Sequence, residues 1–147
     1  MSVMIIGCTG NQISDNRIEN GEEISKEVDK IDITLIDKTD LPQGRAYSLE
    51  LKNKSSYLIK QNSVYLSFPI ISKDGNGYIG NPCKVEASNN KLDISPEEEV
   101  ILNVFVPIEN YINNASLDIE RPQIELKGYL SEVKKEYHFQ KIEYVGF

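Results

Sequence analysis

After Lys30 the chain is dominated by short runs in which apolar and polar residues alternate with a period of two, the pattern of strands that bury one face. Ile31, Ile33 and Leu35 alternate with Asp32 and Thr34, and Tyr47, Leu49 and Leu51 with Ser48, Glu50 and Lys52. The same alternation places Val64, Leu66, Phe68 and Ile70 against Tyr65 and Ser67, and Val100, Leu102, Val104 and Val106 against Ile101, Asn103 and Phe105. Ile124, Leu126 and Leu130 alternate with Glu125, Lys127 and Tyr129, and weaker runs occupy Lys84–Ala87 and Tyr137–Val145. In the last run the apolar phase shifts between Phe139 and Ile142, which predicts a β-bulge or a strand that changes partners. Pro42-Gln43-Gly44, Asn53-Lys54-Ser55-Ser56, Gly75-Asn76-Gly77, Asn89-Asn90 and Arg121-Pro122 supply the turns between runs.

Before Lys30 the pattern fails. Residues 9–30 are polar and acidic, with Ile13, Ile18, Ile24 and Val28 as their apolar members. That spacing is too sparse to specify a packed element, so the stretch reads as a flexible tether, with a helical turn or two allowed from Glu22 to Asp29. The chain thus divides into a start and linker over 1–30 and a folded domain over 31–147. Ser95-Pro96-Glu97-Glu98 fits a helix-start template. The β-branched alternation of Val100–Val106 decides for a strand instead. Residues 108–119 read as a long loop. About seven short strands and no convincing long helix predict an all-β fold, a sandwich of antiparallel sheets.

Composition narrows the function classes. With 147 residues, 39% hydrophobic and 27% charged, the chain has the length and balance of one soluble globular domain. A formal net charge of -7 disfavours nucleic acid, whose phosphates demand clustered Lys and Arg. The same balance offers no basic patch for an anionic membrane surface. Cys8 and Cys83 are neither a disulfide framework nor a zinc site, and whether they pair is left open. No residue pattern asks for a cofactor or a metal. Abundant Lys, Glu, Asn, Ile and Tyr without Trp fit a low-GC bacterial source.

Ile5-Ile6-Gly7-Cys8 resembles the end of a bacterial lipoprotein signal peptide, in which apolar and small residues precede the cysteine that is lipidated. The resemblance implies Cys8 as a lipid anchor, an extracytoplasmic location, and the polar stretch behind it as a tether. Met1–Met4 carry no basic residue and the apolar run is only about six residues long, against the 7–15 of a secretory signal. The resemblance therefore implies a start upstream of Met1. The alternative is a cytoplasmic protein with a free thiol. Leu92–Glu99, followed by a strand ending in Val106-Pro107, resembles the turn that feeds an inner strand of bacterial immunoglobulin-like domains. Together the segments resemble the low-GC Gram-positive type of lipoprotein with an immunoglobulin-like domain, over residues 31–145 for the fold and 5–8 for the anchor.

Individual residues offer little chemistry. Asp74, Asn76 and Gly77 match the third, fifth and sixth positions of a calcium loop, but Ser72 and Cys83 fill the first and twelfth, where acids are needed. The segment therefore reads as a glycine-rich strand connection. His138, the single histidine, is expected to face solvent from the last strand. Glu50, Glu125 and Glu143 fall on outward strand positions, where charge meets water. Cys83 is expected to be an inert, at least partly buried thiol. Tyr65, Ile101, Phe105, Tyr129 and Tyr144 also fall on outward positions and would form one aromatic stripe if their strands were neighbours. The resulting expectation is a non-enzymatic cell-envelope domain that binds or scaffolds a protein or cell-wall glycan through that surface. The alternative is a soluble inhibitor presenting a loop, 72–82 or 108–119, to a partner enzyme.

Overall fold

The computed structural model describes residues 21–145. One helix, α1 (Gly21–Val28), precedes strands β1 (Ile31–Leu41), β2 (Gly44–Asn53), β3 (Ile59–Ser67), β4 (Ile70–Ile71), β5 (Tyr78–Ile79), β6 (Val85–Glu86), β7 (Glu99–Pro107), β8 (Gln123–Leu130) and β9 (His138–Tyr144). Short 3-10 turns lie at Ile108–Asn110 and Lys135–Tyr137. The fold is all-β and antiparallel. A three-stranded sheet, β1-β2-β7, and a four-stranded sheet, β9-β8-β3-β6, are joined by a small β4-β5 ribbon.

The alternation seen in the sequence explains the two layers. On β7 every even residue from Val100 to Val106 is buried and every odd one from Glu99 to Phe105 is exposed. Leu49, Leu51 and Leu102 from one sheet meet Val64, Leu66, Ile124 and Leu126 from the other, all essentially without solvent contact. Removing that apolar area from water is the main stabilising term. Residues 108–119 form a connection with one 3-10 turn, as their polarity predicts.

The sandwich is closed along both sides. On one side Ala87 still donates its N–H to Val64 O of the large sheet, and Ser88 and Asn103 then exchange backbone bonds of 2.7 and 3.1 Å with the small sheet. On the other side α1 covers the opening between β9 and β1. Ile24 and Val28, one helical turn apart, enter the core. Lys141 Nζ donates to Val28 O at 3.1 Å and to Ile31 O at 2.5 Å, satisfying a carbonyl at the helix end while tying it to both sheets. Glu27 accepts from Ser56 N at 2.8 Å and Lys30 Nζ at 2.6 Å. These contacts correct the reading of 9–30 as one tether, because residues 21–28 are a docked part of the domain.

The bulge predicted in the last strand is also absent. β9 pairs β8 without a break from His138 to Tyr144. Phe139 faces inward and Ile142 outward; the polar residue at the intervening inward position, Lys141, is tolerated because its ammonium reaches α1. Register shifts occur instead between Leu35 and Asp37 in β1 and between Lys60 and Ser63 in β3. At the second, Gln61 has φ 52° and Asn62 receives the 89–95 connection, donating its N–H to Leu92 O.

Beside the buried Arg45, which bonds Asp40 at 2.5 Å and Ile119 O at 2.9 Å, the hydroxyl of Tyr47 is buried with no partner in full hydrogen-bond geometry. Burial pushes the Tyr47 hydroxyl up to about 12, against the opposing hydrogen-bonding pull and charge of the Arg45 guanidinium. Because its contact with Arg45 falls short of full hydrogen-bond geometry, Tyr47→Phe is expected to change unfolding free energy by less than about 1 kcal/mol, as read from urea melts. A loss of several times that would assign the hydroxyl a partner.

Candidate functional site

Residues directly opposite on paired strands share a face, which allows the outer surface of the four-stranded sheet to be read off its register. Tyr65 lies opposite both Glu86 and Glu125, and Glu125 lies opposite Ile142. Lys127 opposes Ser63 and Gln140, Tyr129 opposes Lys60 and His138, and Gln123 opposes Ser67 and Tyr144. One solvent-facing surface therefore carries Tyr65, Tyr129 and Tyr144. Ile101 and Phe105, 49% and 43% exposed, lie on β7 in the other sheet. The single stripe is thus divided: its three tyrosines share one outer face, and Ile101 and Phe105 occupy the opposite one. Alternation sets the phase of each strand but not the sheet it joins.

Glu125 sits at the middle of the tyrosine face and departs from the expectation for an outward acid, being only 6% exposed. Lys84 Nζ donates to its Oε1 at 2.6 Å, Gln140 Nε2 donates to Oε2, and Lys127 Nζ lies 3.9 Å away. Lys84 also lies over the Tyr65 ring, 5.9 Å from its centroid. Burial pushes the Glu125 carboxyl up, but the bonds from Lys84 and Gln140 outweigh it and hold the group below its ordinary value. An acid so held stays ionised near neutrality and serves as an anchor for side chains around it, not as a proton donor.

This gives a pH-dependent prediction. A folded-state pKa below the unfolded one contributes stability that is present above about pH 4.5, the ordinary value, and lost as pH falls through the folded value. Glu125→Gln should therefore cost about 1–2 kcal/mol at pH 7. The gap from the parent should narrow in urea melts run at progressively lower pH below that ordinary value. A gap independent of pH would show that the carboxylate charge is not what the network uses.

At the sheet end nearest the 108–122 connection, Tyr144 meets Tyr78 of β5, their ring centroids 5.4 Å apart and inclined by 35°. The Arg121 guanidinium lies over both rings, at 5.3 Å from Tyr144 and 5.9 Å from Tyr78. Tyr78 donates its hydroxyl to Asp118 Oδ2 at 2.6 Å, a bond that raises the phenol pKa. Beside this group a cleft of about 300 Å³ is lined by Ile71, Gly75, Asn76, Gly77, Tyr78 and Asp118. The 72–77 turn is held by Ser72 Oγ donating to Asp74 Oδ1 at 2.6 Å and by Asn76 N donating to the same oxygen at 2.9 Å. It connects strands β4 and β5, as its glycines predict. Tyr78 and Arg121 were not legible as site residues, since only the β4-β5 pairing brings them beside Tyr144.

The remaining candidates stand apart. His138 is exposed at the start of β9 and packs edge-on to Tyr129, with ring centroids 5.2 Å apart. It borders a groove of about 670 Å³ between α1 and β9. Cys83 is exposed, which corrects the expected partial burial: β6 begins only at Val85, so the thiol lies in the preceding turn. Cys8 lies outside the described residues, and among the described residues no helix is long and apolar enough to cross a membrane.

No protein-family model matches this chain, and no curated protein is similar to it in sequence. Among solved structures, a β-glucosidase from Kluyveromyces marxianus in complex with glucose is 18% identical, with a TM-score of 0.35 over 80% of this chain and 14% of that one. The selenomethionine-labelled form of that β-glucosidase gives 15% identity and a TM-score of 0.35 over 78% of this chain and 15% of the other. The chain therefore spans about a seventh of the length of the enzyme it resembles.

Proposed function

We propose that this chain is a non-enzymatic, immunoglobulin-like binding domain of a bacterial cell-envelope lipoprotein, held to the membrane through Cys8 and contacting another macromolecule. The observation that carries the binding role is the gathering of Tyr65, Tyr129 and Tyr144 on one outer sheet face around the ion-paired Glu125. Aromatic side chains give large contact area at small entropic cost, which is why they concentrate the energy of binding surfaces. The division into β1-β2-β7 and β9-β8-β3-β6 supports the immunoglobulin-like reading. The anchor rests on Ile5-Ile6-Gly7-Cys8 and the polar residues after it.

Intact mass of the full gene product, expressed in a low-GC Gram-positive host and fractionated, tests the assignment. A membrane species beginning at Cys8 with a diacylglyceryl addition is the expected result. An unmodified soluble chain retaining Met1 or Ser2 would overturn it and favour a soluble inhibitor. For that second reading the internally bonded 72–77 turn, carried on the β4-β5 ribbon, is the loop that would be presented.

A further inference from the structure

We infer that the corner formed by Tyr78, Tyr144, Arg121 and Asp118, with the adjoining cleft, binds an uncharged glycan chain. The inference rests on the binding reading above and names its ligand class. Arg121 makes no ion pair among the described residues, and Asp118 accepts the Tyr78 hydroxyl on Oδ2 at 2.6 Å and Glu120 N on Oδ1 at 3.1 Å. Stacking over two rings, 5.3 and 5.9 Å from their centroids, and an interaction with the Tyr78 hydroxyl hold the guanidinium, while the remaining N–H donors of this exposed residue face a ligand.

The polar groups are of both signs and both hydrogen-bonding kinds. Arg121 only donates, the Asp118 carboxylate only accepts, and Asn76 at the cleft wall does both. A purely anionic ligand would meet the Asp118 charge, and a cation would meet Arg121. A sugar ring matches the whole set, since its hydroxyls both donate and accept while its C–H face packs on an aromatic ring. The cleft, about 300 Å³, is at the small end of ligand sites and suits one or two sugar rings. Gly75 and Gly77 keep its floor open, with nothing within 4 Å of where a Cβ would stand at either. Tyr144 continues directly onto the tyrosine face through its place on β9, so a chain seated in the cleft runs on across the sheet.

The test uses the full chain with four probes: insoluble chitin and cellulose for co-sedimentation, and the soluble hexamers of N-acetylglucosamine and of glucose for titration. Tyrosine emission reports binding because the chain has no Trp. At least one hexamer is expected to bind, and Tyr144→Ala and Arg121→Gln are each expected to weaken it about tenfold or more. Both residues are exposed, and unchanged far-ultraviolet circular dichroism of the variants separates lost contact from lost fold. Ile101→Ala, on the opposite face, should bind as the parent does. Absence of binding to all four probes, or equal binding by parent and Tyr144→Ala, would overturn the inference. So would loss of Tyr144 protection when cell envelope is treated with protease, which would identify a protein occupant. If envelope still shields Tyr65 and Tyr129 while the glycans fail, the binding reading survives and the glycan assignment falls. If that shielding is absent too, both fall.

Discussion

A chain carrying Ile24→Ala together with Val28→Ala is expected to lose about 3 kcal/mol of unfolding free energy. Both side chains belong to the core, at 9% and 8% exposure, and both pack from the same face of α1. Their truncation removes apolar burial and leaves a gap beneath the helix that the sheets are too rigid to close. Because the helix has only eight residues, it has little stability of its own and depends on that packing. The loss should therefore appear as melting of α1 with the domain, followed by tyrosine emission in urea. Lys26→Ala on the exposed side of the same helix is the control, expected to stay within about 0.5 kcal/mol. A tether would show no difference between the two, and that result would remove α1 from the folded domain.

Gly44→Ala is expected to destabilise by a similar amount, about 3 kcal/mol, for a different reason. A Cβ at Gly44 would stand 2.2 Å from Val106 O, 2.8 Å from the Phe105 ring and 3.0 Å from Pro107 Cα. Two of those atoms are backbone. Moving them would disturb the β2-β7 pairing of Gly44 with Pro107 and the bond of 2.8 Å from Ile108 N to Gln43 O. Gly77→Ala supplies the contrast, because nothing lies within 4 Å of its added Cβ. It should be neutral or slightly stabilising, through restriction of the unfolded chain. Equal effects at the two positions would contradict the close approach of β2 and β7.

The strands were legible because burying one face leaves a period of two in the sequence, and β7 shows it without exception. What a single strand cannot reveal is its neighbour. Tyr65 and Phe105 follow the same local rule, yet one faces out from the large sheet and the other from the small one. Glu125 was legible as outward but not as buried, since its cover comes from Lys84, 41 positions away, and from Gln140, 15 positions away. Lys141 misled in the opposite sense. A polar residue at an inward position reads as a bulge until the carbonyls of Val28 and Ile31 are seen beside it. The helix itself was underread because two apolar residues in eight are enough when they lie one turn apart over an open side of the sandwich.

The central claim is that the tyrosine-bearing face of the four-stranded sheet is the surface this domain presents to its partner. Hydroxyl-radical footprinting of the full chain, alone and with purified low-GC Gram-positive cell envelope, reads side-chain exposure on both sheets in one experiment. Oxidation at Tyr65, Tyr129, Ile142 and Tyr144 is expected to fall on addition of envelope, while Ile101 and Phe105 on the far face keep their reactivity. Protection of Ile101 and Phe105 with the tyrosines unchanged, or protection of neither face, would contradict it.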